Sequence, residues 1–164
     1  MFTTHCPEPR LTASSPPQLR QPPSDALWQR VQTSLARQGL MQHLGTRLLA
    51  VAPGEVTLAL PYSDRVTQQQ GGFHGGAMGA LADIAGGYAG LTVAPEGMEV
   101  VTVEYKINFL NAFQGGELHA CGRVVKAGRR SIVTTAEVTH VAADGKRTPC
   151  AVMQQTLMPV PQTY

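Results

Sequence analysis

Residues 67–94 read TQQQGGFHGGAMGALADIAGGYAGLTVA, and this stretch decides the fold. From Ala77 to Ala94 it is almost wholly apolar and nearly long enough to span a bilayer. Asp83 near its middle, its glycines and the lack of a basic flank favour a buried core helix instead. Such a helix must be covered on most sides, and the flanking sequence reads as strands that can cover it. Leu48-Leu49-Ala50-Val51, the turn Pro53-Gly54 and residues 56–60 read as a hairpin. After the helix, residues 100–109 (VVTVEYKINF) alternate. Val101, Val103, Tyr105, Ile107 and Phe109 are expected on one face, and Thr102, Glu104, Lys106 and Asn108 on the other. Gly115-Gly116 introduces a strand through Val125, and Gly128 turns into another over 131–141. Asp144-Gly145 marks a hairpin before a last strand through Met158. The expected class is α+β: one long central helix wrapped by a curled antiparallel sheet of about five or six strands.

Outward from this unit, residues 1–24 hold Pro7, Pro9, Pro16, Pro17, Pro22 and Pro23 among Ser, Thr and Gln, and read as a mobile tail. Ser24 and Asp25 offer an N-cap for a helix over about 25–41, with Leu27, Trp28, Val31, Leu35 and Leu40 at helical spacing and Gly39 near its end. Residues 25–164 are then one domain. The chain has 164 residues, 43% of them hydrophobic, which is enough for a core. Thirteen basic against eleven acidic residues leave +2, too mild to argue for nucleic acid or an anionic membrane as partner. Cys6, Cys121 and Cys150 form no CxxC, so neither a zinc knuckle nor a redox dithiol is supported. The opening MFTTHCPEPR lacks the apolar core of a signal peptide, and a cytoplasmic location is expected.

The chemistry concentrates in residues 67–94. Gly71-Gly72 and Gly75-Gly76 sit before or at the start of the helix, where backbone N–H groups and the positive dipole end are exposed. Glycine lets a carbonyl approach those donors, as polarising it and holding an oxyanion requires. On their own these glycines read first as a turn that lets a helix enter the core. Asp83 changes the balance, because burying the only ionisable group of an apolar helix is costly unless the group is paired or used. Gly79, Gly86, Gly87 and Gly90 argue against a simple solvent face around it. Gly75 and Asp83 are eight residues apart, about 12 Å along a helix. Reacting atoms need about 3–3.5 Å, so both can serve one carbonyl only from different subunits. A homodimer with two composite sites follows.

HGGAMGALADIAGGYAG resembles the signature of hotdog-fold acyl-CoA thioesterases of the phenylacetate-pathway type: His-Gly-Gly, then Leu-Ala-Asp with the Asp nine positions after the His. The similarity in element order runs from about residue 40 to 159, leaving the tail and first helix outside or peripheral. The resemblance implies hydrolysis of an acyl-CoA, with aryl or medium-chain acyl group, to CoA and a carboxylic acid. It makes Asp83 the general base or nucleophile and gives the Gly75 N–H of the neighbouring subunit the carbonyl to polarise. By the same resemblance Gln68, with Gln69 and Gln70 as alternative registers, helps hold water or carboxylate, and Thr102 sits near the reaction centre. His74 holds the loop rather than acting as a base, and Gly76 and Gly87 border the substrate. Some relatives carry a hydroxyl residue where this chain has Gly87, which leaves space for a bulkier acyl group. Arg129 and Arg130, at the hairpin after Gly128, suit CoA phosphates, although an ordinary solvated turn reads equally well. Look-alikes are commonly tetramers, so a homotetramer is expected. No metal or redox cofactor is implied.

Other readings fit less well. The HGG loop resembles the oxyanion strand of serine esterases, but no GxSxG occurs. His5, His43, His74, His119 and His140 are scattered, unlike the ligands of a metal hydrolase. A hydratase on the same fold would use a His paired with a carboxylate. A non-catalytic acyl-CoA-binding or regulatory protein is the alternative that fold alone leaves open.

Overall fold

A computed structural model describes residues 25–163, so the Pro-rich segment and the expected cap at Ser24 lie outside the described residues. The decisive stretch forms one helix, α3 (Gly75–Leu91), preceded by α1 (Asp25–Leu35) and α2 (Gly39–Leu44). Six strands surround it in sequence: β1 (Arg47–Ala52), β2 (Glu55–Pro61), β3 (Met98–Phe109), β4 (Glu117–Ala127), β5 (Ile132–Val141) and β6 (Arg147–Pro161). They make a single antiparallel sheet in the order β1-β2-β4-β5-β6-β3, open at both edges. α3 packs against five of the six, β2 to β6. This is the expected hotdog arrangement, with a helix running along one face of a sheet. Among the described residues no helix is long and apolar enough to cross a membrane.

Small residues let α3 lie close to the sheet. Leu81, Ala82, Ala85 and Ala89 are fully buried, and the first three pack with Leu58, Leu118, Ala120 and Met153 into the core. A Cβ at Gly122 on β4 would overlap the Ala85 carbonyl, and one at Gly90 would overlap the Leu157 side chain. Gly87, by contrast, faces open space. Gly122→Ala should therefore cost about 3 kcal/mol or more, because backbone stands in the way and cannot rotate aside. Gly87→Ala should raise stability by up to about 1 kcal/mol through helix propensity. Urea denaturation of the two variants checks this contrast in sign.

Two expectations need correction. The helix expected over 25–41 is broken: Arg37 and Gln38 close tight turns onto Ser34 and Leu35, and Gln38 is extended at φ −86°. Gly39 thus opens α2 instead of ending α1. The bend lets Val31 and Leu35 and then Met41 and Leu44 bury on different axes, and it leaves Leu40 exposed.

The alternation expected in β3 also fails, because the register against β6 shifts between Thr102 and Glu104. A bulge of this kind adds one residue and switches which parity faces the helix. Val100 and Thr102 face α3 before it: Val100 packs on the core, and Thr102 bonds to Asp83. Tyr105, Ile107 and Phe109 face it after: Ile107 packs on the core, Tyr105 Oη lies near Gly79, and the Phe109 ring lies near Gly75. Val103 is left 61% exposed.

Candidate active site

Asp83 lies midway along α3, half-buried, on the side of the helix nearest β3. Thr102 Oγ1 donates to its Oδ1 at 2.7 Å, a geometry the β3 bulge makes possible. The Gln155 amide, reaching from β6, donates to the same oxygen. Burial pushes the Asp83 carboxyl above its ordinary pKa, and the Thr102 hydrogen bond opposes that shift. The carboxylate opens onto a cavity of about 490 Å³, bordered also by Gly87, Tyr88, Val100 and Thr102. Ligand pockets are commonly of this size.

α1 and the turn after it complete the cavity through Ser34, Arg37 and Gln38. Gln38 Nε2 donates to Tyr88 Oη at 2.9 Å, and Tyr88 Oη donates to Ser34 Oγ at 3.2 Å. Arg30 adds a bond to the Met98 carbonyl at 2.7 Å. The first helix, expected to be peripheral, is therefore part of the cavity wall.

At the start of α3, His74 is the N-cap. Its carbonyl accepts from Ala77 and Met78 at 3.0 and 3.1 Å, and its Nδ1 accepts from Gly76 at 2.8 Å. The Gly76 N–H is thus engaged within the chain rather than open to a ligand. The Gly75 N–H meets no acceptor among the described residues. A Cβ at Gly75 would lie 3.3 Å from the Phe109 ring, so glycine suits the close approach of β3 here. Both Gly75 and Asp83 belong to α3, about 12 Å apart along its axis.

Gln68 is turned into its own loop, where its side-chain oxygen accepts from the Gln70 N–H; within this chain it does not meet Asp83. Arg129 and Arg130 are exposed in the β4–β5 turn. Arg129 borders a separate hollow with Glu96, Met98 and Pro159 rather than the cavity of Asp83. Among the described residues no cluster of His, Cys, Asp and Glu is arranged to hold a metal.

Sequence reasoning missed Gln155, fully buried beside Asp83, and Thr134, fully buried behind Gln155. A signal was present. In β6, Ala151, Met153, Gln155 and Leu157 are buried while Val152, Gln154 and Met158 are exposed, so alternation alone places an amide on the core face.

Comparisons with known proteins bear on the fold and the family. Residues 70–142 match the thioesterase superfamily. A predicted esterase of Saccharolobus solfataricus is 35% identical over 107 residues, 65% of this chain and 74% of the relative. The crystal structure of a thioesterase family protein from Silicibacter pomeroyi superposes with TM-score 0.79 and 39% identity, covering 83% of this chain and 99% of that one. The PaaI protein of the E. coli phenylacetic acid degradation operon shares the fold at TM-score 0.73 and 22% identity, covering 84% and 95%. Helix, sheet order and sequence likeness together lead to one conclusion: the chain belongs to the thioesterase superfamily, as a thioester hydrolase built on the hotdog fold.

Proposed function

We propose that the protein hydrolyses an aryl or medium-chain acyl-CoA to CoA and the free acid, at sites shared between two subunits. The observation that carries this reading is a half-buried carboxylate held by two donors at the wall of a cavity of about 490 Å³. Asp83 takes a proton from water as the water oxygen attacks the thioester carbon, or attacks that carbon itself. The C–S bond then breaks, and the leaving thiolate takes the proton that Asp83 removed from water. On the direct-attack route the acyl–Asp83 anhydride is hydrolysed by water, which releases the acid, restores the carboxylate and supplies the thiol's proton. Charge gathering on the carbonyl oxygen meets the unspent N–H of Gly75 from the other subunit, at the positive end of its helix. The chemistry asks for water, a carboxylate and N–H donors, and no resident metal or redox group forms part of the proposal.

The exposed sheet edge supports the dimer. β3 is a twelve-residue edge strand with Val101, Val103, Tyr105 and Phe109 exposed, a surface that open sheets seldom leave unpaired. Antiparallel pairing of two β3 edges about a two-fold axis would set the two α3 helices side by side in opposite senses. One helix start would then approach the other's midpoint. Val125, Val152 and Met158, also exposed on the sheet, offer apolar area for a further pairing of dimers into a tetramer. Gln68 would help hold water across the interface. Arg129 and Arg130 would meet CoA phosphates, and the open space at Gly87 would admit the acyl group. Free Cys121 and buried Cys150 suit a reducing cytoplasm.

The test is a panel of aromatic and aliphatic acyl-CoAs, with hydrolysis followed as thiol release. At least one member should turn over with kcat/KM of about 10⁴ M⁻¹s⁻¹ or more, in the range of working enzymes. Binding of acyl-CoA with no thiol release from any member would replace this reading with that of a non-catalytic binding protein.

A further inference from the structure

Gln155 and Thr134 carry no chemical step of the mechanism described above, yet both side chains are 0% exposed against α3. The two hydrogens of Gln155 Nε2 are shared among three acceptors, Asp83 Oδ1, Thr102 Oγ1 at 2.9 Å and, longest, the Asp83 carbonyl at 3.3 Å. Thr134 Oγ1 lies 2.9 Å behind, against Gln155 Oε1. The orientation of the amide and of both hydroxyls follows. The Asp83 carbonyl and ionised carboxylate only accept, so the amide nitrogen must face them. Its oxygen then faces Thr134, whose hydroxyl must donate. Thr102, having accepted from Gln155, sends its own hydrogen to Asp83 Oδ1. Two donors thus converge on Oδ1, while among the described residues none reaches Oδ2, which stays available to water or substrate. Room for the pair is made by Gly86, where a Cβ would overlap Gln155 Oε1 and come within 2.8 Å of Thr134 Oγ1.

We propose that Gln155, oriented by Thr134, is a positioning residue that fixes the rotamer of Asp83 and favours its ionised form. Two apolar side chains would fill the same space without burying polar atoms. What the amide and hydroxyl add is a second directed donor at the carboxylate. The inference rests on Asp83 being the acting carboxylate. Charged groups sharing its cavity are Arg37, from the turn after α1, and Glu99, on β3; Tyr88 is the other titratable side chain on that wall. At this level β4 presents the backbone of Gly122, β5 presents Thr134 and β6 presents Gln155.

The experiment compares kcat–pH profiles and melting temperatures of wild type, Gln155→Met, Thr134→Val and the double variant, with Asp83→Asn alongside. Gln155→Met should lower kcat about 10- to 100-fold, the range of a lost bond to a charged group, with KM within a few-fold. Its acid limb should move up by about one pH unit, since a donor to the charged form is gone. Thr134→Val should shift the limb the same way by less. The double variant, with both buried partners apolar, should regain stability yet keep the displaced limb. Folded variants whose acid limb stays in place, or a double variant whose kcat returns with its stability, would show a merely structural role and overturn the proposal. Failure of Gln155→Met to fold leaves Thr134→Val and the double variant to decide the same question. Should Asp83→Asn keep wild-type turnover, the reading of Asp83 fails first and this inference with it. Loss of turnover in Asp83→Asn beside unmoved limbs in the others sinks the inference alone.

Discussion

Asp83→Asn should lower kcat for acyl-CoA hydrolysis by about 10²- to 10⁴-fold at pH 7, the span associated with losing a positioned base, while KM should change little. Asparagine keeps the size of the side chain, and its carbonyl oxygen still accepts from Thr102 and Gln155. What disappears is the ability to take a proton or to attack. In the wild type, kcat should fall as pH drops through the Asp83 pKa, and burial sets that limb above the ordinary aspartate value of about 3.9. The same shift has a stability consequence of defined sign. A folded state with a raised carboxyl pKa binds the proton more readily than the unfolded chain. The site therefore favours the fold most below the unfolded-state pKa, and loses that advantage as pH rises through the folded one. Asparagine never ionises. Asp83→Asn should thus melt higher than wild type at pH 7, with the gap closing below about pH 3.9. Unchanged kcat, or a KM effect larger than the kcat effect, would remove Asp83 from the chemistry.

How much of this was legible in the sequence depends on how local each determinant is. The long apolar helix and the turns at Pro53-Gly54, Gly128 and Asp144-Gly145 declare themselves through period and turn chemistry within a few residues. The aim of Thr102 does not. It depends on a bulge at Val103, whose existence is decided by pairing with β6, some fifty residues away. Counting the alternation through Val103 kept Thr102 on one polar face with Glu104 and Lys106, and only the family resemblance set it near the reaction centre; it faces the carboxylate. Gln155 was open to the same periodic argument that placed its apolar neighbours, but an amide on the core face means little until its partner is known. The break after α1 is a packing solution, tied to Tyr88 by Gln38, with no Pro to announce it. Gly75, singled out from the glycine pattern, is the first residue of α3. Its difference from Gly76 lies in the His74 ring, whose Nδ1 takes one N–H and not the other.

That difference permits the strongest test of a shared site. Gly75→Pro deletes the single N–H assigned to the oxyanion and should lower kcat about 10²- to 10³-fold. Proline is tolerated at the first helical position, and His74 before it already has the extended conformation proline demands, φ −69° and ψ 133°. Gly75→Ala brings the same Cβ toward the Phe109 ring but keeps the N–H, so it should stay within a few-fold of wild type. If the donor and the carboxylate come from different subunits, Gly75→Pro and Asp83→Asn damage complementary halves. A mixed dimer then has one site with both changes and one with neither. Random pairing of equal amounts makes half the dimers mixed, each with one good site of two, so about a quarter of wild-type kcat should return on co-expression. Each variant alone should stay near its own residual rate. Were Gly75 and Asp83 to act within one chain, no mixture would contain an intact site and nothing would be restored. The 12 Å between them along α3 makes restoration the expected result.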